Sequence, residues 1–452
     1  MFRSDGGRIR RSARTDRRQP CKDAGRILIG IGEIDIIVSG AFRGHVGESA
    51  TMSDHDIVVY GATGFVGALV ARHLAEHSPE GVRIALAGRS ESKLDAVKRR
   101  LGVEWPTLVA DAADADAVAR VAGSTRVLVT TVGPYAKYGK PLVDACARAG
   151  TDYLDLTGEV LFARRSIDDN HEVARSTGAR IVHSCGFDSI PSDLGVHVLH
   201  QAVRNDGAGE LTDTAMVVTS LRGGVSGGTI DSLRHQLDTI KRDPSQRRIA
   251  GGPYSLSPDR SAEPDLGRQS DIATVRGESV DPRLRGTLAP FFMASYNTRV
   301  VRRSNALRGY EYGRGFRYRE LMSVGTSPLS PLLANGVKLG FGALVAGLMM
   351  PPTRFVLDRM LPKPGQGPAE KGHFTCDFFG RTTTGARYTA RFRADSDPGY
   401  GGTAVMLGES ALALLLDRPE GEGGVLTPAT ALGDALVDRL RAVGLEITAS
   451  RL

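Results

Sequence analysis

Cysteine is scarce in this 452-residue chain, which has four cysteines that lie far apart and form no Cys-x-x-Cys pair. Their number and spacing argue against a disulfide scaffold and against a structural zinc site. Scattered single cysteines are typical of a protein from a reducing cytosol. We also expect no secretory signal, because the first residues lack a charged-then-apolar pattern with a small-residue cleavage site.

A strong excess of one charge is missing from most of the chain. The formal net charge is +7, and residues 1–51 contribute +4 of it through ten Lys/Arg and six Asp/Glu. A nucleic-acid-binding protein would show a basic face within its folded domain. The rest of the chain carries only +3, which argues against a nucleic-acid partner.

The N-terminal segment 1–51 begins with an arginine-rich stretch that has no hydrophobic periodicity. Neighbouring like charges repel one another and stay solvated, so we expect a disordered basic extension. Met52 stands just before the first convincing strand. One alternative is therefore that 1–51 is translated upstream sequence and that the native chain starts at Met52, and another is a basic tail with a binding role.

From Asp56 onward, short apolar strands alternate with helical segments. The predicted strands are 56–60, 83–87, 107–110, 126–131, 153–156 and 180–183, and the predicted helices include 64–77, 91–101 and 140–149. Strands that alternate with helices of about 10–15 residues indicate βαβ units and a parallel sheet. We assign residues 52–188 to this α/β domain.

The pattern changes after Asp188 and predicts a second, α+β domain over residues 189–452. Its predicted strands are 211–221, 291–301, 373–379 and 386–394, and its predicted helices are 229–240, 403–416 and 428–443. Residues 243–290 are rich in Pro, Gly, Ser and Arg and predict a long loop, which in a compact domain is usually a functional lid or disordered. We expect the last helix to pack back on the first domain.

One strongly apolar stretch, Leu332–Met350, interrupts this second domain. A membrane span typically needs ~20 predominantly apolar residues, and Asn335, Lys338 and several glycines and prolines argue against one. We expect a buried core helix in the first place. A helix at a membrane surface, or one that faces lipid, is the alternative.

The sharpest motif follows the first predicted strand and is the run Gly61-Ala62-Thr63-Gly64-Phe65-Val66-Gly67. In a dinucleotide site, the first glycine permits the tight turn, the second lets the backbone approach the pyrophosphate, and the third allows close helix–sheet packing. The N–H groups at the start of the following helix, around Thr63, Phe65 and Val66, would face the phosphates. The motif predicts a Rossmann-type doubly wound sheet that binds a nucleotide.

The end of the second predicted strand discriminates between the two nicotinamide cofactors. An NAD site would have Asp or Glu there, whereas this chain has Gly88 followed by Arg89, Ser90 and, one turn later, Lys93. A guanidinium can bind a phosphate through two hydrogen bonds, which favours the 2′-phosphate of NADP(H). Asp111, after the third strand, is either a neighbour of the adenine ring or a helix N-cap.

The fourth predicted strand ends in Thr130-Thr131-Val132-Gly133-Pro134-Tyr135. Ligands of open α/β sheets lie beyond the carboxyl ends of the strands. We therefore expect Thr131, Gly133 and Pro134 to form a rigid turn beside the nicotinamide ribose.

Taken together, these motifs resemble the saccharopine dehydrogenase-like oxidoreductases. The resemblance rests on the glycine triad, Ala87-Gly88-Arg89, the Thr130–Tyr135 turn, Asp155-Leu156-Thr157-Gly158-Glu159 and Cys185-Gly186-Phe187-Asp188-Ser189-Ile190-Pro191-Ser192-Asp193. Two later segments are similar to the trans-acting enoyl reductases within that superfamily: Ser396-Asp397-Pro398-Gly399-Tyr400 and Gly423-Gly424-Val425-Leu426-Thr427-Pro428. Such enzymes serve polyketide synthases in phthiocerol-type lipid assembly.

The resemblance implies a cytoplasmic, NADPH-dependent reductase of a 2-enoyl acyl or polyketide thioester held by a separate synthase. Hydride would reach the β-carbon and a proton the α-carbon. The chain lacks the Tyr-x-x-x-Lys pair of short-chain dehydrogenases, and Tyr135, Lys137, Tyr138 and Lys140 are the candidate proton donors. Structural roles for these four side chains are the alternative.

Other partners and sites follow from the same interpretation. The arginines between 242 and 303 are candidates for contact with an acidic carrier domain, and segment 332–350 for peripheral contact with the inner membrane face. Glu159 and Asp188 either shape the cleft floor or cap helices. No His/Cys/carboxylate group has metal-ligand spacing. The alternative functions are a saccharopine-type or other amino-acid conjugate oxidoreductase and a protein that holds NADP without turnover.

Overall fold

Residues 53–223, 227–361 and 372–452 are described by a computed structural model. The predicted extension 1–51 and the alternative start at Met52 lie outside the described residues. In the first half, strands and helices alternate as the hydrophobic pattern predicts. They are β1 (His55–Tyr60), α1 (Phe65–His77), β2 (Ile84–Gly88), α2 (Glu91–Leu101), β3 (Thr107–Val109), α3 (Ala115–Gly123), β4 (Thr125–Thr130), α4 (Tyr135–Ala149), β5 (Asp152–Leu154), α5 (Val160–Thr177), β6 (Arg180–Val182) and α6 (Ile190–Asn205).

The second half has longer strands and more irregular connections. Its elements are β7 (Leu211–Arg222), α7 (Gly227–Arg242), α8 (Gln246–Gly251), β8 (Val275–Arg276), α9 (Gly277–Val280), β9 (Thr287–Pro290), α10 (Ala294–Leu307), β10 (Arg317–Ser323), α11 (Ser330–Met349), α12 (Pro351–Met360), β11 (His373–Thr382), β12 (Arg387–Ala394), α13 (Gly401–Leu412), a π-helical turn (Ala413–Asp417), β13 (Gly424–Leu426), α14 (Pro428–Ala431), α15 (Gly433–Ala442) and β14 (Glu446–Arg451).

The first sheet has seven parallel strands in the order β13-β6-β5-β4-β1-β2-β3. The interior strand β1 buries Ile57, Val58 and Val59 completely, so both of its faces are covered. A continuous apolar strand is typical of a parallel sheet that lies between helices. The strand order reverses between β1 and β4, and this switch point is where such sheets bind ligands. The predicted Rossmann-type fold is confirmed.

The second sheet is mixed and has the order β14-β12-β11-β7-β10-β9-β8. Strands β7 and β10 are parallel, and the other pairs are antiparallel. Helix α6 packs on this sheet. At Gly195 it comes so close to β11 that a Cβ would lie 2.1 Å from the ring of Phe378. The predicted second α+β layer is therefore present.

The C-terminal part of the chain returns to the first sheet. Strand β13 pairs in parallel with β6, with Val425 opposite Ile181. Helix α13 packs against α1, while α15 packs against α6, α13 and β14. The boundary at residue 188 stays a prediction, and residues far beyond it contribute to the first sheet.

The predicted strand 291–301 is wrong. Strand β9 ends at Pro290, and Ala294–Leu307 forms helix α10. Nearly all of this helix is buried, and its polar and charged side chains are buried together with the apolar ones. The separation of an apolar face from a solvated polar face, which marks a surface helix in a sequence, therefore gives no signal here.

Arginines of α10 anchor the segment that was predicted as a long loop. Arg299, Arg302 and Arg303 are buried and donate to the carbonyl oxygens of Gly251 (3.2 Å), Pro253 (3.1 Å) and Leu256 (2.6 Å), respectively. The segment 243–290 also contains α8, β8, α9 and β9. These three arginines are therefore structural, which corrects their assignment to contact with a carrier domain.

The prediction of a buried core helix at Leu332–Met350 is also wrong. The helix exists as α11, but only 17% of its 18-residue apolar window is buried, and Leu332 and Leu339 are 71% and 72% exposed. By length and composition alone, α11 could cross a membrane. One side of α11 packs against no other element among the described residues. The apolar side chains on that side therefore lie on the surface.

Candidate active site

The glycine loop after β1 has the geometry of a phosphate-binding turn. Gly61 has φ +88°, and a Cβ there would lie 2.5 Å from Cγ2 of Val132. A Cβ at Gly67 would lie 2.2 Å from the carbonyl oxygen of Gly61, so helix α1 can sit this close to the loop only with glycine at that position. The amide of Gly64 donates to the carbonyl of Gly61 at 2.9 Å and closes the turn.

The N-terminus of α1 opens at this turn. The helix starts at Phe65 after Gly64, and no side chain caps it within the described chain. Thr63, Gly64 and Phe65 are exposed, and Val66 is half-buried. A tight glycine turn and an uncapped helix start fit the diphosphate of a dinucleotide, because free N–H groups and the helix dipole attract anions.

The basic end of β2 lies on the same edge of the sheet. Arg89 is exposed and forms no ion pair with any described residue, and Ser90 and Lys93 flank it at the start of α2. Burial and then the charge of Asp111 raise the pKa of Tyr60 to about 12, while the charge of Arg89 lowers it. Arg89 and Asp111 therefore both lie near the end of β1, where the adenosine half of the cofactor would bind.

Asp111 is not the N-cap of the following helix. Its Oδ1 accepts the amide of Ala113 at 2.9 Å, whereas Asp114 caps α3 by accepting the amides of Asp116 and Ala117. The capping alternative for Asp111 is therefore excluded. Its exposed carboxylate remains available to a ligand.

The predicted turn after β4 forms beside the glycine loop. The Thr131 amide donates to the carbonyl of Tyr60 at 3.1 Å, and its Oγ1 donates to the carbonyl of Gly61 at 3.4 Å. The Gly133–Pro134 peptide bond is cis, and Pro134 directly precedes helix α4. The turn thus connects β4 to the phosphate loop.

Glu159 caps α4 rather than its own helix α5. Its two carboxylate oxygens accept the amides of Tyr135 (2.8 Å) and Ala136 (2.9 Å). Ser232 of α7 donates to the same carboxylate at 2.7 Å. This interaction connects the loop after β5 to α4 and α7, and it lets α4 begin five residues earlier than predicted.

Tyr135 lies in the core. Its hydroxyl donates to the carbonyl of Thr130 and accepts the amide of Leu156, both at 3.2 Å. Burial holds the pKa of Tyr135 well above its usual value, and the nearby Asp155 carboxylate adds to the shift. Both contacts are structural, which argues against Tyr135 as the proton donor.

The other three candidates lie along α4. Lys137 is exposed, with Nζ 4.7 Å from the ring centre of Tyr138. Lys140 binds Asp144 (2.7 Å) and Asp169 (2.9 Å). Burial alone would lower the pKa of Lys140, but these hydrogen bonds and charges raise it, so the ammonium keeps its proton. Lys137 and Lys140 line a groove between α3 and α4.

A different pocket lies where the loops after β5 and β6 meet α7, α10 and α11. Its volume is about 160 Å³, and most of its surface is apolar. The apolar side chains that line it are Ile230, Leu233, Phe292, Met293, Phe341 and Leu344. Asp188 also lines this pocket. The N-cap residue of α6 is Ser189 and not Asp188. The side chain of Asp188 therefore contributes to the cleft floor.

A hydrogen-bonded network lies behind the pocket. Asp155 is fully buried and accepts Nδ1 of His183 (2.7 Å) and the hydroxyl of Tyr153 (3.1 Å). Ser184 donates through Oγ to the carbonyl of Thr157 at 2.6 Å. The loops that surround the pocket are thus held in place by buried polar contacts.

A larger cavity of about 510 Å³ adjoins this region, and its walls include the polar and charged side chains of Glu159, Lys140, Arg164, Asp168, His235 and Arg242. Gln236 of α7 lines both cavities. Its Oε1 is buried without a hydrogen-bond partner in the described part of the chain. An unsatisfied buried acceptor between two cavities is suited to an amide donor of a ligand.

The sequence analysis missed the wall residues from α7, α10 and α11. No motif surrounds Leu233, Tyr296 or Leu344. The one available signal was the apolar stretch of α11, whose side facing the pocket contributes Phe341 and Leu344. Among the described residues, no group of His, Cys, Asp and Glu is arranged to hold a metal ion.

Residues 57–182 match the family model of the saccharopine dehydrogenase NADP binding domain. This match confirms the predicted cofactor, NADP(H). The overall fold is similar to that of the apo saccharopine dehydrogenase (L-Glu forming) of Saccharomyces cerevisiae, with a TM-score of 0.52, 12% identity, and coverage of 88% of this chain and 100% of that one. The fold and the site define an NADP-dependent oxidoreductase.

Sequence relatives give the family. The chain is 48% identical over 416 residues to the trans-acting enoyl reductase of Mycobacterium bovis, and the match covers 88% of this chain and 98% of that relative. It is 47% identical over 421 residues to the trans-acting enoyl reductase of Mycobacterium ulcerans, with coverage of 89% and 100%. The chain belongs to the trans-acting enoyl reductase family, as its motifs predicted.

Proposed function

We propose that this protein uses NADPH to reduce the carbon–carbon double bond of a 2-enoyl acyl or polyketide thioester in complex-lipid biosynthesis. The observation that carries the proposal is the apolar pocket at the ends of β5 and β6. In open α/β sheets the substrate binds in the crevice beyond the strand ends, beside the dinucleotide. An apolar wall suits a hydrocarbon chain.

Each predicted cofactor residue has a role in this proposal. The loop from Gly61 to Gly67 binds the diphosphate, while Arg89, Ser90 and Lys93 bind the 2′-phosphate. Asp111 lies beside the adenine, and the turn with Thr131, Gly133 and Pro134 borders the nicotinamide ribose. When bound, NADPH supplies the hydride that adds to the β-carbon of the substrate.

Two alternatives are less well supported. A saccharopine-type substrate carries several carboxylates, yet no arginine or lysine of the described chain lines the apolar pocket. A protein that holds NADP without turnover would not need a cavity beside the nicotinamide. The apolar wall and its single acidic group favour enoyl reduction over both.

The partner in this proposal is a carrier domain of a separate synthase, in keeping with the word trans-acting in the relatives' names. Such a carrier presents its thioester on a phosphopantetheine arm, which has amide groups. The buried Oε1 of Gln236 would accept an amide proton of the arm. Exposed Lys241, Arg242, Arg247 and Arg248, next to the larger cavity, would attract an acidic carrier.

Helices α11 and α12 support peripheral contact of this cytoplasmic protein with an anionic membrane. Their exposed apolar side chains are Leu332, Leu333, Val337, Leu339, Phe355, Val356 and Met360. Helix α11 has no acidic residue and carries Lys338, and Arg359 of α12 lies over Phe355. An apolar face with flanking cations binds anionic lipid surfaces. Phe341 and Leu344 of the same α11 line the apolar pocket, which suits a substrate that comes from the membrane.

The catalytic proposal is tested with purified protein, NADPH and a 2-enoyl thioester on pantetheine. We expect NADPH absorbance to fall and the acyl product to gain two mass units. An amino-acid imine in place of the thioester should leave absorbance unchanged. Turnover of the imine alone would support the saccharopine-type alternative, and turnover of neither substrate would contradict the proposed function.

The membrane proposal is tested by flotation with vesicles of phosphatidylglycerol and phosphatidylcholine. We expect binding to anionic vesicles only, and at least ~10-fold weaker binding of Leu332→Ser/Leu339→Ser, because two large apolar side chains would no longer be buried. Val173→Ser, an exposed apolar site on α5, is the matched control. Equal binding of all three proteins would contradict the assignment.

A further inference from the structure

The pocket contains one carboxylic acid whose role the cofactor site does not explain. Asp188 is half-buried and lines the apolar cavity together with Met293 and Phe341. In the described part of the chain, no side chain donates a hydrogen bond to its carboxyl group. The one hydrogen bond to it from the described residues is that of its own backbone amide. An acid that lines a substrate cavity and is not held by another side chain is a candidate for proton transfer.

The other groups of this pocket that carry an exchangeable proton are poorer donors. The Tyr296 hydroxyl lies 2.5 Å from Oγ of Ser184, and since that serine donates to the carbonyl of Thr157, the tyrosine proton points to the serine oxygen. Ser232 donates to Glu159. Hydroxyl groups of serine and threonine are weak acids, so none of these groups competes with a carboxylic acid.

We propose that the carboxylic acid of Asp188 delivers the proton to the α-carbon of the bound acyl chain. Hydride addition at the β-carbon moves the double-bond electron pair into an enolate of the thioester. The O–H bond of Asp188 then breaks and a C–H bond forms at the α-carbon from that pair. The resulting carboxylate recovers its proton from water at the pocket mouth. This inference rests on the proposed function and names its acid.

The electrostatic surroundings keep a proton on Asp188. Burial is the main cause that raises the pKa of Asp188 to about 7, and the negative charge of Asp155 adds to it. The charge of Asp188 in turn raises the pKa of Tyr135 and Tyr296 nearby, and Asp155 itself is bound to His183. Because an acid works best with a pKa near the operating pH, this range suits a proton donor in the cytosol.

The test compares wild type with Asp188→Asn, which keeps the shape of the side chain and removes the acid. We expect kcat for the 2-enoyl thioester to fall at least ~100-fold, in the range of general acid catalysis. NADPH affinity, read from its fluorescence, should stay within about twofold. Asp116→Asn, an exposed acid on α3, is the matched control and should behave as wild type. Asp188→Glu should restore part of kcat.

A turnover in D₂O separates proton transfer from a structural role. Wild type should place deuterium on one face of the α-carbon, whereas residual product of Asp188→Asn should carry it on both faces, since solvent then protonates the enolate. Retention of one face by the variant, or a kcat within about threefold of wild type, would overturn the proposal. Failure of wild type itself to reduce the thioester would instead overturn the proposed function.

A spectroscopic readout does not depend on turnover. The infrared spectrum of wild type minus that of Asp188→Asn isolates the C=O stretching band of protonated Asp188, because the bands of all other carboxyl groups cancel. This band should disappear with a midpoint near pH 7. If Asp188→Asn does not fold, the difference between wild type and Asp188→Glu contains the aspartic acid band with one sign and the glutamic acid band with the other, and the pH dependence of the first band is followed. A midpoint near the ordinary aspartate value of 3.8 would overturn the assignment.

Discussion

His73 of helix α1 and Glu409 of helix α13 are joined in the core, with Nε2 and Oε1 2.7 Å apart. The helices are so close that a Cβ at Gly408 would lie 2.5 Å from Cδ2 of His73. Arg439 of α15 lies 3.5 Å from the other oxygen of Glu409. These contacts join the helix that follows the phosphate loop to the last third of the chain.

We expect Glu409→Ala to lower the free energy of unfolding by about 3 kcal/mol, because it leaves buried His73 without its acidic partner. Urea unfolding followed by circular dichroism measures the change. Glu422→Ala, which removes an exposed ion pair with Arg175, is the control and should have a much smaller effect. Equal losses in the two variants would contradict a coupling role for Glu409.

Arg89→Ala should raise KM for NADPH by roughly 10- to 100-fold, since hydrogen bonds to charged groups contribute about 1.5–3 kcal/mol. KM for NADH, which lacks the 2′-phosphate, should change little. Steady-state kinetics with both cofactors measure the effect. Arg99→Ala, an exposed arginine near the other end of α2, is the control. Equal changes for NADPH and NADH would contradict the assignment of Arg89.

Gly67→Ala should weaken NADPH binding at least ~10-fold, because a Cβ 2.2 Å from the carbonyl of Gly61 forces the helix away from the phosphate loop. Isothermal calorimetry measures the dissociation constant. Gly123→Ala has open space around its Cβ and should bind normally. If both variants bind NADPH equally well, the loop does not need this close packing.

Tyr135→Phe separates a structural from a catalytic tyrosine. Loss of the hydroxyl leaves the buried amide of Leu156 without a partner, so we expect a stability loss of about 1–3 kcal/mol. The rate of enoyl reduction at 25 °C should stay close to wild type. A large fall in kcat without a loss of stability would return Tyr135 to the list of proton donors.

Leu344→Trp should fill part of the apolar pocket. We expect kcat/KM for a long-chain enoyl thioester to fall at least ~10-fold, because extra bulk in a packed cavity excludes the chain. The dissociation constant of NADPH should not change. Val173→Trp, exposed on α5, is the control. An unchanged kcat/KM would mean that the acyl chain binds elsewhere.

The parallel sheet was predictable because its signals are local. Each strand from β1 to β6 is a short apolar run, and helix α2 has the predicted bounds Glu91–Leu101. The glycine loop and the basic end of β2 occur within about 30 residues of one another. Local patterns of this kind also carry the family resemblance.

The missed features depend on contacts between distant segments. Helix α10 was mistaken for a strand because carbonyl oxygens from loop 251–256 satisfy its buried arginines, and no periodicity reveals such partners. The exposure of α11 could not be inferred from its composition, which also suits a core. Asp188 was named as a cleft residue, but its position in an apolar pocket depends on α7, α10 and α11.

The return of β13 to the first sheet has a consequence for how the chain folds while the ribosome synthesises it. Until Gly424–Leu426 leaves the ribosome, the outer edge of β6 has no strand to pair with. The guanidinium of Arg303 likewise lacks one of its hydrogen-bond acceptors, the carbonyl of Val425, until the ribosome has added that residue 122 positions later. Unpaired strand edges can pair with other chains, so this edge of the first sheet stays open to such pairing until translation is nearly finished.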